Sequence, residues 1–366
     1  MSGVARNVHV CLLRRIAAEV LELAGDAPAP LGALADLVYA TYYLGETSAA
    51  TQARFRDGVT PIVLREDPTF GAALREANRG AGFTQGGWRV VGAREGGLVV
   101  RRERISLLVR DGDMAGREAD GSVAVRFPNE RPYAYPDYYV AIGDGGPPSP
   151  GGAAPLLRLY FNVSPSGATR LLSAVTSTMG AVLRRFAIKI LNHPESYGRP
   201  DAAVALVLRE DLGRALSLLG GVLRETGPYL TDAVPAFTLR LARGVGLAED
   251  PGGGARLSFG QHRAWVIAKG LTRALEHGAS APESRLPFVV RELTAAGIDP
   301  ERPYCRRTSL EELHAEIDRH VLALENASDD HRKHDVTAQA GDAEGAPCSN
   351  PARPGPSRER LGAHRA

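Results

Sequence analysis

Residues 184–201 read RRFAIKILNHPESYGRPD, and this stretch decides how the rest of the chain is read. Phe186, Ile188 and Leu191 are apolar, and the run stops at Asn192, His193 and Pro194. That pattern predicts a strand of about 5–6 residues closed by a turn. Lys189 stands inside the apolar run. A lysine in that place either snorkels to a face open to water or is aimed into a site that uses an amine. On this stretch alone both readings stand, and the first is simply a half-exposed edge strand. Arg199 and Asp201 follow the turn, at the start of a second apolar run from Ala202 to Leu208.

The 366 residues allow a large core, as one domain with a helical appendage. The 44 basic and 42 acidic side chains nearly cancel, so global charge points to neither nucleic acid nor membrane, and any basic site is local. Arginine far outnumbers lysine amid abundant Ala, Gly and Pro. That bias makes a single arginine weak evidence and a single lysine stronger evidence. The three cysteines, Cys11, Cys305 and Cys348, lie far apart without metal-ligand spacing, so a reduced compartment is expected. Arg14, Arg15, Glu19 and Glu22 interrupt the first segment, which argues against a signal peptide. A soluble cytoplasmic protein is the expectation.

Helical periodicity over Asn7–Leu23, Leu31–Leu44 and Thr60–Asn78 predicts an N-terminal helical region over residues 1–80. The tyrosines there, Tyr39, Tyr42 and Tyr43, read as packing. From Gly80 the pattern turns to strands. A hairpin is expected over Trp88–Arg102 with its turn at Gly92–Gly97, then strands at Ile105–Val109, Ser122–Phe127, Asp137–Ile142 and Leu156–Val163. A helix follows from Ser164-Pro165, and another spans Glu210–Thr226. A short strand at Phe237–Leu241 and a glycine-rich connection, Gly244–Gly254, come next. Ser258 and Pro282 each start a helix, the second running to Gly297. The last helix starts at Thr308-Ser309, where Ser309 and Glu312 have capping-box spacing, and fades near Asn326. The fold class is therefore α+β, a mixed or antiparallel sheet packed by helices over residues 81–326. Residues 327–366 are polar and expected to stay disordered, with His331 and His334 simply part of that tail.

Walker A, dinucleotide-binding, zincin, nucleophile-elbow and kinase motifs are all missing. What remains is basic and imidazole-bearing. Arg158, Tyr160 and Asn162 alternate along one strand and share a face. Ser258, His262 and Arg263 sit at a helix N-terminus, which favours an anion. With Lys189 and Arg199 these residues would make a phosphate pocket holding one amine and one imidazole. A lysine shielded from water among other cations acts as a base near neutral pH, and a histidine charged by bound phosphate acts as an acid. The plain alternative is a solvated sheet face, surface arginines and a histidine that only caps its helix.

Four segments carry a resemblance: LRLYFNVSP (Leu157–Pro165), FAIKILNHPESYGRPDAAV (Phe186–Val204), FTLRLARGVGLAEDP (Phe237–Pro251) and SFGQHRAWVIAKGL (Ser258–Leu271). In order, and across about Tyr133 to Tyr304, they resemble the HopA-type effector family, which includes type III secreted effectors. It also includes stand-alone enzymes of class V lanthipeptide and thioamitide biosynthesis. There a separate kinase similar to aminoglycoside phosphotransferases phosphorylates Ser or Thr of a precursor peptide, and the HopA-like partner eliminates phosphate to leave dehydroalanine or dehydrobutyrine. The resemblance implies a phosphoserine/phosphothreonine lyase without cofactor or metal, with Lys189 as base and His262 as acid. It matches Arg199, Asp201 and Arg263 to the family's motif positions, and the reading of the residues themselves adds Arg158, Tyr160, Asn162 and Arg240 as candidate phosphate or substrate contacts. One departure stands out: the family's motif lysine is Leu239 here, with Arg240 beside it on the opposite face of the strand. A non-catalytic peptide-binding partner or a HopA-like effector is the alternative.

Overall fold

The computed structural model describes residues 2–24, 30–45, 66–132, 134–135, 137–148, 156–183, 185–251 and 257–320. The N-terminal helices are α1 (Ser2–Ala24), α2 (Leu31–Val38) and α3 (Pro68–Ala77). At its end α2 widens into a π-helical turn, Tyr39–Tyr43. Asp67 caps α3 by accepting from the Thr69 and Phe70 N–H groups, and Pro68 takes the first helical position, so this helix starts later than its periodicity suggested. Residues 60–65 lie outside the described residues, as do Arg184, Gly252–Gly254 and everything beyond 320, including the polar tail.

Five short strands follow: β1 (Phe83–Arg94), β2 (Gly97–Arg102), β3 (Ile105–Val109), β4 (Met114–Arg117) and β5 (Val123–Phe127). They form an antiparallel sheet ordered β3-β2-β1-β5-β4 around Trp88, Val100, Val109, Val123 and Val125. The hairpin turn falls at Glu95-Gly96 rather than across Gly92–Gly97. A bulge between Val90 and Gly92 lets β1 continue through the first of those glycines. Strand β4 shows no alternation in its MAGR sequence and escapes sequence reading.

The second sheet holds β6 (Tyr138–Ile142), β7 (Leu156–Phe161), β8 (Phe186–Leu191), β9 (Ala203–Leu208), β10 (Leu239–Ala242) and β11 (Val245–Glu249). Its order is β10-β11-β7-β9-β8-β6, with all neighbours antiparallel. The glycine-rich connection therefore contains a fully buried strand, β11. Its glycines serve geometry: Gly244 turns at a φ of +64°, and a Cβ on Gly246 would stand 2.7 Å from Thr238 Oγ1. The strand before it starts at Leu239, because Phe237 is in the left-handed region at φ +68°.

Helices α4 (Ala168–Val182) and α5 (Leu212–Thr226) cover the face of this sheet that carries Phe186, Ile188 and Ile190. Ser164 makes no side-chain cap, and a 3-10 turn at Pro165–Gly167 precedes α4. The opposite face meets the N-terminal turn and α6 (Phe259–Glu276), through Tyr43, Tyr160 and Phe259. Then come α7 (Pro282–Ala295), a small pair β12 (Ile298–Asp299) and β13 (Arg302–Arg306), and a final helix from 310 to the last described residue, 320. Ser309 makes no capping box with Glu312. Its hydroxyl donates instead to Glu249 Oε2 at 2.6 Å, because that buried carboxylate also holds Arg306 and needs the donors.

One apolar cluster runs from Leu13 through Tyr43 and the second sheet to Ile317, so the N-terminal helices share their core with the chain's later half. Gly260 marks the tightest point of that junction, since a Cβ there would lie 2.6 Å from the Tyr43 ring. Gly260→Ala should cost about 1–3 kcal/mol by overpacking, read as a lower urea midpoint with an unchanged m-value. An unshifted midpoint would show that Tyr43 moves aside freely.

Candidate functional site

Lys189 pairs across the sheet with Val140 on one side and Val204 on the other; Val204 in turn pairs with Tyr160. Directly opposed residues share a face, so Lys189 and Tyr160 lie on one side of the sheet with β9 between them. Lys189 is the only residue of β8 that is not buried. On its β6 side this face is closed by Phe83, packed with Val140, Ile142 and Ala187. At the other end the Tyr43–Tyr160–Phe259 cluster closes it. Lys189 sits in the gap between them.

The ammonium lies 4.2 Å from the centre of the Tyr138 ring and 5.7 Å from that of Tyr135, a cation–π arrangement. Burial pulls its pKa down to about 8. Asp201 works against that shift, while the charges of Arg158 and Arg199 reinforce it. A group with that value is about one-tenth unprotonated at pH 7.

Arg199 grips Asp201 in a two-point ion pair, Nε to Oδ1 at 2.8 Å and Nη2 to Oδ2 at 2.9 Å, and its Nη2 also donates to the Tyr138 hydroxyl at 3.0 Å. The Arg-x-Asp spacing thus builds a fork on a carboxylate. Burial alone would raise the Asp201 pKa, but Arg199 and then Lys189 hold it below the usual carboxylate range. Arg158 is two residues from Tyr160 on the same face, and its Nε and Nη2 both donate to Asp250 Oδ2, at 2.8 and 2.5 Å. Although burial opposes its charge, Tyr160 and Asp250 keep Arg158 protonated.

At the start of α6, Ser258 caps the helix in a capping box with Gln261. His262 follows, its Nδ1 2.9 Å from Arg263 Nη1. Burial, then the Arg263 charge, lowers the His262 pKa to about 4, with Asp250 pulling the other way. The free protein therefore carries a neutral imidazole at pH 7; the acid expected from sequence is one charged by a bound phosphate. Arg263 is 1% exposed. Its Nε donates to the Pro303 carbonyl at 2.7 Å, and its guanidinium lies over the Phe259 ring at 4.6 Å.

The residues read from sequence thus separate into two groups. Lys189, Arg158, Tyr160, Arg199 and Asp201 share one neighbourhood, and the Asp250 charge links Arg158 to His262. Arg263 is instead enclosed behind His262. Asn162 is buried, its amide donating to the Ala233 carbonyl at 2.9 Å, so it holds the 227–238 loop. Arg240 lies on the edge strand β10, exposed and paired with Asp232 at 2.5 Å. Neither Arg240 nor Leu239 replaces a lysine inside the pocket.

Sequence reasoning missed three contributors. Tyr138 is the aromatic floor under Lys189, and the pairing Tyr138↔Leu191 that puts it there depends on register. Asp250 sat in a segment read as loop. Tyr39, in the π-helical turn, lies near Asp201, Arg199 and the Ser258 hydroxyl, and burial raises its pKa so that it remains a neutral donor. A π-helical turn often marks a functional site, but periodicity cannot reveal one. Among the described residues no cluster of His, Cys, Asp and Glu has metal-binding geometry, and no helix is long and apolar enough to cross a membrane.

Comparison with known proteins completes the description. No curated protein matches the chain. The effector protein from Pseudomonas syringae pv. tomato strain DC3000 aligns in structure with 19% identity and a TM-score of 0.42, covering 80% of this chain and 99% of its own. That from Pseudomonas syringae pv. syringae strain 61 aligns with 17% identity and a TM-score of 0.41, covering 75% and 96%. The family model for the HopA1 effector protein family matches residues 129–305, which take in Lys189, Arg158, Arg199, Asp201 and His262 but not Tyr39 or Tyr43. The matched region, which carries the pocket's charged residues, is similar to the HopA1 effector protein family.

Proposed function

We propose that the Lys189 pocket takes the phosphate-bearing side chain of a phosphorylated Ser or Thr in a peptide and eliminates the phosphate. One observation carries this reading: a lysine with a pKa lowered to about 8 stands between two arginines on a partly enclosed sheet face. The Lys189 amine, when neutral, takes the proton from Cα. That bonding pair forms the Cα–Cβ double bond, and the Cβ–O bond breaks with its electrons leaving on phosphate. Arg158 and Arg199 use Nε and Nη2 on their carboxylates, so the Nη1 group of each is the donor offered to the leaving anion. The substrate would be a ribosomal precursor peptide phosphorylated by a separate kinase, and the product dehydroalanine or dehydrobutyrine.

A second reading is a HopA1-type effector that binds a phosphorylated partner without turnover. The family match supports it.

Lys189→Ala should cost roughly 10²–10⁴ in the rate of phosphate release from a phosphoserine peptide while leaving the fold intact. A folded variant that releases phosphate as fast as wild type would refute the assignment of the base. Because the base is the unprotonated amine, the wild-type rate should climb with pH and level off above about 8. Asp201→Asn removes the charge that props up the lysine pKa, so the plateau should begin at lower pH. A plateau moved upward would contradict the electrostatics described above.

A further inference from the structure

Arg263 is a cation enclosed in the protein with no carboxylate in its hydrogen bonds. Its Nε serves the Pro303 carbonyl, and its Nη2 is buried without a hydrogen-bond partner. Its remaining contact is Nη1 with His262 Nδ1 at 2.9 Å. An arginine has five N–H donors and no acceptor. Nδ1 must therefore be the acceptor, so the ring proton of the neutral imidazole resides on Nε2. Protonating Nδ1 would set N–H against N–H beside a guanidinium that Phe259 and Pro303 prevent from retreating.

We propose that Arg263 is a positioning residue that locks His262 in the neutral Nε2–H tautomer, making His262 a fixed hydrogen-bond donor to a phosphate monoester rather than a proton-transferring acid. The proposal rests on the phosphate-binding reading of the pocket for its ligand, but the lock itself is a property of the free protein. The charged groups acting on His262 are Arg263, which disfavours an imidazolium, and Asp250, which favours one. With the first dominant, the imidazole stays neutral until an anion arrives. Even then a second proton must displace Arg263 from Nδ1. The chemistry tolerates this, because the second pKa of a phosphate monoester is about 6 and its monoanion, already carrying a proton, leaves as hydrogen phosphate.

The test uses the full chain with 15N-labelled histidine. Long-range 1H–15N spectra at pH 7 distinguish the two tautomers and the imidazolium, and the signal missing from His262→Gln identifies His262. The expected pattern is Nε2–H, both free and with a phosphoserine peptide bound. An Nδ1–H pattern, or an imidazolium in the bound state, would overturn the proposal. A functional arm needs no change at buried Arg263. Gln places an amide N–H near the position of Nε2 but without the Arg263 lock, so His262→Gln should lower turnover by about tenfold. Loss of an acid would instead cost roughly 10²–10⁴, and that result too would overturn it. If wild type shows the Nε2–H tautomer but releases no phosphate, the lyase reading fails and the lock stands.

Discussion

Asp201 is the carboxylate on which the pocket depends. It is buried, and it meets Arg199 through both oxygens while its charge reaches Lys189. Removing one partner from a buried pair leaves an uncompensated charge, which typically costs about 3–5 kcal/mol. The same carboxylate sets the chemistry. Without it the lysine pKa would fall below about 8, and with an isolated lysine partner it would hold the ammonium charged. Sharing it with Arg199 leaves the amine between these limits. Arg158, tied up by Asp250, adds positive potential without taking Asp201.

The site draws on more of the chain than the family match covers. Residues 129–305 supply the cations and their carboxylates, whereas Tyr39 and Tyr43 come from the N-terminal helical layer. Tyr43 packs edge-on against Tyr160 and stands over Gly260 at the start of α6. The helix that presents His262 is thus seated against a segment far away in sequence. The sheet fixes Lys189 and Arg158, α6 fixes His262, and the π-helical turn lies between them.

Much of this was legible in the sequence because period 2 is a strong constraint. A lysine inside FAIKIL and the alternation of Arg158 and Tyr160 place those side chains on strand faces without further information. The α+β class and most helix starts followed from periodicity and capping residues. What could not be read is register and strand order. Lys189 meets Tyr138 because β6 pairs with β8, and it lies near Arg158 because β9 separates β8 from β7; neither pairing is written locally. Strand β11 was hidden because glycine signals both loops and close backbone approach. Arg263 looked like a phosphate ligand because arginine at a helix start is suited to that role. Its burial behind His262 depends on Pro303, forty residues away.

The most direct measurement is the mass of a synthetic phosphoserine peptide after incubation with the wild-type protein. The account predicts a product lighter by one phosphoric acid, the signature of a new double bond in the peptide. A product lighter only by HPO3, with the serine hydroxyl restored, would mean hydrolysis and contradict a Lys189 base acting at Cα. A peptide that binds and keeps its mass, with and without its kinase present, would contradict the lyase account and leave a phosphate-recognising effector-type module.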